Sequence, residues 1–117
     1  MSRILLDTHL LLWAVAEPRK LPPGARRRIE EADVFVSAAS LWEVSIKAAL
    51  GKLAADPAEL LAEIEPAGFT LLPITGEHAA AVAKLPAVHA DPFDRMLVAQ
   101  AKTEPLLLLT TDAVLAG

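Results

Sequence analysis

The chain has no cysteine and no tyrosine, and only 4% of its residues are aromatic. Without cysteine there can be no disulfide, no thiolate metal site and no cysteine nucleophile, so any bound metal must be held by oxygen or imidazole. Apolar residues nevertheless make up 54% of the 117 residues, and leucine, alanine and valine must therefore fill most of the core. Because the mean hydropathy of +0.41 is high for a small domain, we expect some apolar surface to lie in a subunit or partner interface.

A long apolar run is also missing. No run approaches the ~18 residues of a membrane span, and the N-terminus enters a strand-like run at residues 4–6 without the apolar segment of a signal peptide. We therefore expect a cytoplasmic protein with no membrane partner. The formal net charge of −4 disfavours nucleic-acid binding by bulk electrostatics, although acids gathered around a metal would contribute to that total.

Short apolar runs alternate with helix-like segments along the whole chain. The runs predict strands at residues 4–6, 34–36, 69–72 and 106–109. This alternation predicts one domain over residues 1–117 with an α/β fold, in which helices cover both faces of a mainly parallel sheet. The expected architecture is a three-layer α/β/α fold with four strands, or five if the end of the chain adds one.

Several helix ends carry recognisable signals. Asp56 and Asp91 are each followed by proline, which is the pattern of an N-cap and a first helical position. Gly51 is predicted to end a helix over residues 37–50. A further helix is predicted over residues 76–85.

Four acids follow the predicted strands or lie in the helices after them: Asp7, Glu43, Asp94 and Asp112. The carboxyl ends of parallel strands share one edge of a sheet, where α/β proteins bind ligands, so we expect these acids to meet there. A cluster of like charges is unfavourable unless a cation holds it, and carboxylates without cysteine suit Mg²⁺ or Mn²⁺. Such a site is suited to hydrolysis of a phosphodiester.

Most of these acids also have a purely structural explanation. Asp7 and Asp112 can each cap the helix that follows a strand. Asp94 stands three residues after Asp91, which is the spacing of a capping box. Capping explains where each acid sits in its helix, but it does not explain why all four should face one edge of the sheet.

Glu43 is the acid that capping explains least well. It stands three residues after Ser40, as in a capping box, and four residues before Lys47, as in a helical ion pair. If the helix begins at Ser37, however, Glu43 lies in the second turn and is too far along to cap. We therefore interpret it as a candidate metal ligand.

Other polar residues have supporting interpretations. Thr8, Thr110 and Thr111 flank the acids and can donate hydrogen bonds to metal-bound water, or act as caps. Lys47 and Arg95 can contact a phosphate, or form simple pairs with neighbouring acids. A run of arginines at residues 26–28 is typical of a solvated helix face, with RNA or partner contact as the alternative.

The histidines and tryptophans are weaker candidates. His9, His78 and His89 lack the spacing of a zinc site and have no matching nucleophile, so a hydrolytic triad is not expected. Trp13 and Trp42 are predicted to lie in the core or in an interface.

Four sequence blocks resemble a known family. They are L-L-D-T-H-L-L-L-W, then S-A-A-S-L-W-E-V-S-I-K followed by G-K-L, then L-P-x-x-H-x-D-P-F-D-R-M-L-V-A-Q-A, and finally L-T-T-D. Together, and in this order, they resemble the PIN domain, and more narrowly the VapC-type toxins of bacterial toxin–antitoxin modules. The resemblance covers nearly the whole chain.

The resemblance implies a Mg²⁺- or Mn²⁺-dependent endoribonuclease that cleaves RNA, usually as a homodimer, and that is inhibited by a cognate antitoxin protein. Asp7, Glu43 and Asp94 match the first three acids of the family, and Asp112 matches the fourth, more variable one. Two departures stand out. The chain ends five residues after Asp112, which leaves a fifth strand open, and Ala90 stands where similar sequences often carry arginine.

Two alternatives remain beside this interpretation. A phosphoacceptor receiver domain is also small, acidic and Mg²⁺-binding, but it should carry adjacent acids after the first strand, whereas Asp7 is followed by Thr8. A catalytically inactive PIN-like scaffold that binds RNA or protein would be expected to lose acids, and all four are present.

Overall fold

The computed structural model describes residues 2–86 and 91–111, in which strands and helices alternate. The predicted strands are confirmed to within one residue at each end. Two 3₁₀ turns, Pro18–Lys20 and Val82–Lys84, join neighbouring helices or loops. The strands and α-helices are β1 (Arg3–Leu6), α1 (Thr8–Ala16), α2 (Pro23–Glu31), β2 (Asp33–Ser37), α3 (Ala38–Ala49), α4 (Pro57–Ile64), β3 (Thr70–Leu72), α5 (Gly76–Ala81), α6 (Pro92–Thr103) and β4 (Leu107–Leu109).

The sheet has the strand order β3-β2-β1-β4, and every pair is parallel. Leu5 of β1 lies opposite Phe35 of β2, and Leu6 lies opposite Leu109 of β4. The predicted α/β fold with a parallel four-stranded sheet is therefore confirmed. The end of the chain, where a fifth strand was left open, lies outside the described residues.

Side chains alternate between the two faces of β1, and both faces are buried. Ile4 and Leu6 belong to a core cluster that also contains buried side chains of β2, α1, α3 and α4. Leu5 points to the other face, where it packs with Leu97 and Ala101 of α6. Helices thus cover both faces, as expected for a parallel sheet, and this confirms the three layers. None of the helices within residues 2–86 and 91–111 has the length and apolar character needed to span a membrane.

The order of the strands reverses beside β1. The chain runs from β1 to β2 and then to β3 on one side, and returns through α5 and α6 to place β4 on the opposite side of β1. A crevice forms outside the carboxyl ends of the strands at such a reversal, and ligands bind there. The fold therefore places its natural binding crevice between the ends of β1 and β4.

The start and the end of α3 bear on two expectations. Ser37 is the N-cap, and its hydroxyl accepts a hydrogen bond from the Ala39 amide. The interpretation of Ser40 and Glu43 as a capping box is therefore wrong, because both lie inside the helix. At the other end Gly51, with a φ of +73°, donates its N–H to Ala48 and terminates the helix as predicted.

The predicted helix over residues 76–85 is shorter in the structure. The α-helix ends at Ala81, and Val82–Lys84 forms a 3₁₀ turn. Leu85 is extended, with a ψ of 146°. Leu85 precedes Pro86, whose ring disfavours a helical conformation in the preceding residue, which explains why the helical segment ends before Leu85.

Candidate active site

Asp7 is the first residue after β1 and is buried, with 5% of its surface exposed. Its Oδ1 accepts a hydrogen bond of 2.8 Å from the Leu10 amide, so it caps α1 as predicted. Its Oδ2 accepts hydrogen bonds from the hydroxyl of Thr110, at 2.5 Å, and from the amide of Thr111, at 3.2 Å. Asp7 therefore joins the carboxyl ends of β1 and β4, at the reversal of the strand order.

Glu43 reaches the same edge from the second turn of α3. Its Oε1 accepts a hydrogen bond of 2.7 Å from the Thr8 hydroxyl, and its Oε2 pairs with the Lys47 ammonium at 2.6 Å. The Thr8 hydroxyl also lies 3.0 Å from the Oγ of Ser40, which is buried. The predicted pair of Glu43 and Lys47 is confirmed. Ser40 is a residue whose contribution was missed, because the S-x-x-E pattern was interpreted only as a cap.

Asp91 and Asp94 come from the start of α6. Asp91 is the N-cap, and its Oδ1 accepts hydrogen bonds from the amides of Phe93, at 2.8 Å, and Asp94, at 3.0 Å. Asp94 is half-buried in the first turn. Because the N-terminus of a helix stabilises negative charge, the start of α6 is a favourable position for these two carboxylates.

These acids line one cleft of about 170 Å³. The three predicted acids that the structure describes, Asp7, Glu43 and Asp94, are thus brought together, while Asp112 lies outside the described residues. Four of the lining side chains are carboxylates and one is an ammonium, which leaves a formal excess of negative charge. The lining residues are Asp7, Thr8, His9, Glu43, Lys47, Asp91, Asp94 and Thr111.

The negative charge of the cleft affects the pKa of Lys47. The hydrogen bond to Glu43 is the main cause that raises the pKa of Lys47 above its ordinary value of 10.5. Coulombic attraction to Glu43, Asp91 and Asp94 acts in the same direction, whereas partial burial opposes it. The ammonium therefore stays charged in the cleft at neutral pH.

The cleft has suitable donors for a hard divalent cation. The acidic side chains offer carboxylate oxygens, which are the ligands that Mg²⁺ and Mn²⁺ prefer. Glu43 accepts one hydrogen bond on each oxygen, so lone pairs remain for a cation. As the side chains stand, no three acids or histidines within the described ranges, which leave out Asp112, are gathered closely enough to hold one ion. The carboxylates of the cleft suit a divalent ion in atom type and in charge. To coordinate it, their side chains would have to move closer together.

A second set of buried polar side chains, Ser37, His78 and Gln100, lies outside the cleft, and each of them is hydrogen-bonded. The side-chain carbonyl of Gln100 accepts a hydrogen bond of 2.5 Å from the hydroxyl of Ser37. The Nδ1 of His78 accepts from the Thr75 amide at 3.0 Å, so its Nε2 carries the hydrogen and donates to Glu104 at 2.6 Å. The Thr75 hydroxyl in turn accepts a hydrogen bond from the His78 amide, so the two residues form a capping box at the start of α5. The T-x-x-H spacing was its sequence signal, and His78 thus has a structural role.

Two arginines that were candidates for phosphate or RNA contact bind backbone carbonyls. Arg95 donates to the carbonyl oxygens of Val82 and Pro86, which attaches the 3₁₀ segment to α6. Arg26 donates to the carbonyl oxygen of Pro18. Both side chains thus hold neighbouring segments of their own chain. Their contact with RNA stays a prediction.

The fold and the site define an α/β protein whose acidic cleft lies at the reversal of its strand order. The model of the PIN domain matches residues 4–116 of the chain. The chain therefore belongs to the PIN domain family. The family expected from the four sequence blocks is confirmed.

Two individual proteins are similar to this chain. Ribonuclease VapC22 of Mycobacterium tuberculosis (strain ATCC 25618 / H37Rv) is 43% identical over 42 residues, which cover 36% of this chain and 32% of that protein. The match thus spans about a third of the relative's length. The crystal structure of FitAcB from Neisseria gonorrhoeae has a TM-score of 0.60, with 24% identity, over 97% of this chain and 90% of that chain. This second likeness concerns the fold.

Proposed function

We propose that this chain is a Mg²⁺- or Mn²⁺-dependent endoribonuclease that hydrolyses phosphodiester bonds of RNA and acts as the toxin of a toxin–antitoxin pair. The observation that carries the proposal is the acidic cleft at the ends of β1 and β4, which gathers Asp7, Glu43 and Asp94. Like charges brought together in one cleft are unfavourable for folding, and a bound divalent cation offsets this.

Asp7, Glu43 and Asp94 would hold the ion, with Asp112 as a fourth acid. When bound, a divalent ion neutralises the phosphate and lowers the pKa of an attacking water. Hydrogen bonds from other residues hold the acids in place. Thr110 and Thr111 hold Asp7 through its Oδ2, and Thr8 holds Glu43 through its Oε1.

Membership of the PIN domain family and the name of the relative VapC22, a ribonuclease, support this function. The receiver-domain alternative requires the strand order 2-1-3-4-5, in which β3 lies beside β1. Here β3 pairs with β2, and β4 takes the place beside β1. The remaining alternative, an inactive scaffold, predicts binding of RNA or protein without cleavage.

The proposed partners are RNA, a cognate antitoxin and a second copy of the chain, all in the cytoplasm. The antitoxin and the homodimer come from the resemblance to VapC-type toxins. An exposed apolar stripe along α3 and its C-cap also favours an interface. It consists of Trp42, Ile46 and Leu50, which are 58%, 37% and 63% exposed. Light scattering of the purified protein tests whether it is a dimer. Co-expression with a small protein encoded beside this chain tests whether that protein neutralises the proposed toxin.

The central test is cleavage of total RNA with Mg²⁺ and with excess chelator. Chelation should abolish cleavage, and added Mg²⁺ or Mn²⁺ should restore it. Asp7→Asn should lower the rate of RNA cleavage at least about a hundredfold. Loss of a group that only supports a metal ligand costs up to about a hundredfold, and Asp7 is itself a proposed ligand. Asparagine caps a helix about as well as aspartate, so α1 should persist.

Asp56→Asn is the matched control, because Asp56 also caps a helix but lies outside the cleft lining. It should cleave RNA like the wild type. Full activity of Asp7→Asn, or full activity in chelator, would reject the metal-dependent site. Binding of RNA without any cleavage by the wild type would favour the scaffold.

A further inference from the structure

The position of Lys47 has a consequence for ion binding. Among the described residues that line the cleft, it is the one lysine or arginine. Its ammonium lies 2.6 Å from the Oε2 of Glu43, and its side chain is 46% exposed, whereas that of Glu43 is 9% exposed. A half-exposed cation thus compensates the charge of a carboxylate that is nearly buried.

The helix keeps this pair together. Lys47 follows Glu43 by four residues in α3, which is the favourable order for a helical ion pair. The Thr8 hydroxyl takes the other oxygen of Glu43. Both oxygens are therefore engaged by groups of the protein itself before any ion is added.

The attraction extends beyond Glu43. Asp91 and Asp94 also act electrostatically on Lys47, and both line the cleft with it. The ammonium thus compensates part of the same negative charge that a divalent ion would compensate. Because the lysine stem reaches solvent, its head can leave Glu43 without unfolding α3.

We propose that Lys47 is a tethered counter-cation that competes with the divalent ion for the charge of Glu43 and so weakens binding of the ion. This inference rests on the proposed metal site. Lys47 keeps the acids compensated when the ion is absent, and it must give up part of its interaction with Glu43 when the ion binds.

The test is the dissociation constant for Mn²⁺, measured by electron paramagnetic resonance of free Mn²⁺ at fixed ionic strength. Lys47→Met should bind Mn²⁺ roughly three- to tenfold more tightly than the wild type, the scale of one partly exposed ion pair toward a doubly charged ion. Lys47→Arg, which keeps the charge, should stay within about twofold of the wild type. The relevant site is the one that Asp7→Asn loses.

Lys102→Met is the matched control, since it removes the same charge from an exposed position eight residues beyond Asp94 in α6. It should bind Mn²⁺ like the wild type. Circular dichroism checks that each variant is folded, and Lys47→Gln replaces Lys47→Met if the latter does not fold.

The outcomes separate the two proposals. If the wild type has no saturable Mn²⁺ site, the proposed metal site fails and the role of Lys47 fails with it. If the wild type binds Mn²⁺ and folded Lys47→Met binds it equally or more weakly, the competition by Lys47 alone is overturned.

Discussion

Two helices of this protein begin in the same way, but only one of them contributes to the cleft. α4 begins with Asp56 and proline, with Glu59 at the third helical position, and α6 begins with Asp91 and proline, with Asp94 at the third position. In both, the capping aspartate accepts hydrogen bonds from the amides two and three residues later. The local structure of the two starts is therefore the same.

The difference lies in where each helix packs. Leu60 and Ile64 of α4 join the core cluster on one face of the sheet, whereas Leu97 and Ala101 of α6 join the cluster on the other face. Of these two helices, only α6 reaches the cleft at the ends of β1 and β4. A capping motif thus predicts how a helix begins, and packing decides whether its acids serve a site.

The largest expected effect separates the two third-position acids. Asp94→Asn should lower RNA cleavage at least about a hundredfold, because a proposed ligand of the ion is lost. Glu59→Gln changes the charge at the equivalent position of α4 and should leave cleavage unchanged. Initial rates on one RNA substrate, with both proteins at equal folded concentration, measure the difference. Equal rates for the two variants would mean that the position in the fold does not distinguish these acids.

A smaller effect separates the two caps. Asp91→Ala and Asp56→Ala should each lower the free energy of unfolding by about 1 kcal/mol, because each removes one cap. Only Asp91→Ala should also lower cleavage, by about tenfold, since Asp91 helps to orient the start of α6 at the cleft. Urea denaturation measures stability, and cleavage rates are compared well below the unfolding midpoint. A loss of cleavage in Asp56→Ala would contradict the distinction.

The smallest expected effect concerns stability without metal. Glu59→Gln should lower the free energy of unfolding by about 0.3 kcal/mol, because it removes a favourable charge from a helix N-terminus. Asp94→Asn loses the same interaction but relieves repulsion among the cleft acids, so its stability should equal or slightly exceed that of the wild type. Thermal unfolding in chelator compares them. A clear destabilisation by Asp94→Asn would show that repulsion among the cleft acids does not lower the stability of the fold.

Much of this architecture could be predicted from the sequence, because the signals are local. Apolar runs predicted the four strands to within one residue, and an aspartate before proline predicted the starts of α4 and α6. Gly51 ended α3 as expected because it adopts a left-handed conformation that suits glycine. The predicted helix over residues 76–85 was too long. At Leu85 the reason is that the effect of Pro86 on the preceding residue was not considered.

The contacts within the site could not be predicted in this way. Thr8 was expected near metal-bound water, and the structure shows that its hydroxyl holds Glu43, 35 residues further along the chain. Thr110 binds Asp7 across a separation of 103 residues. Such hydrogen bonds depend on which strands are neighbours, and no local pattern records this.

The sequence by itself determined the strands, the helix caps, the absence of thiol chemistry and the acids available for a site. These follow from side-chain chemistry and from interactions between residues close in the chain. Only the tertiary structure decided that β4 lies beside β1 and that α6, rather than α4, brings its acids to the cleft. The physical reason is that the chain must bury both faces of one sheet, and the return of the chain to the far side of β1 opens the crevice where the acids meet.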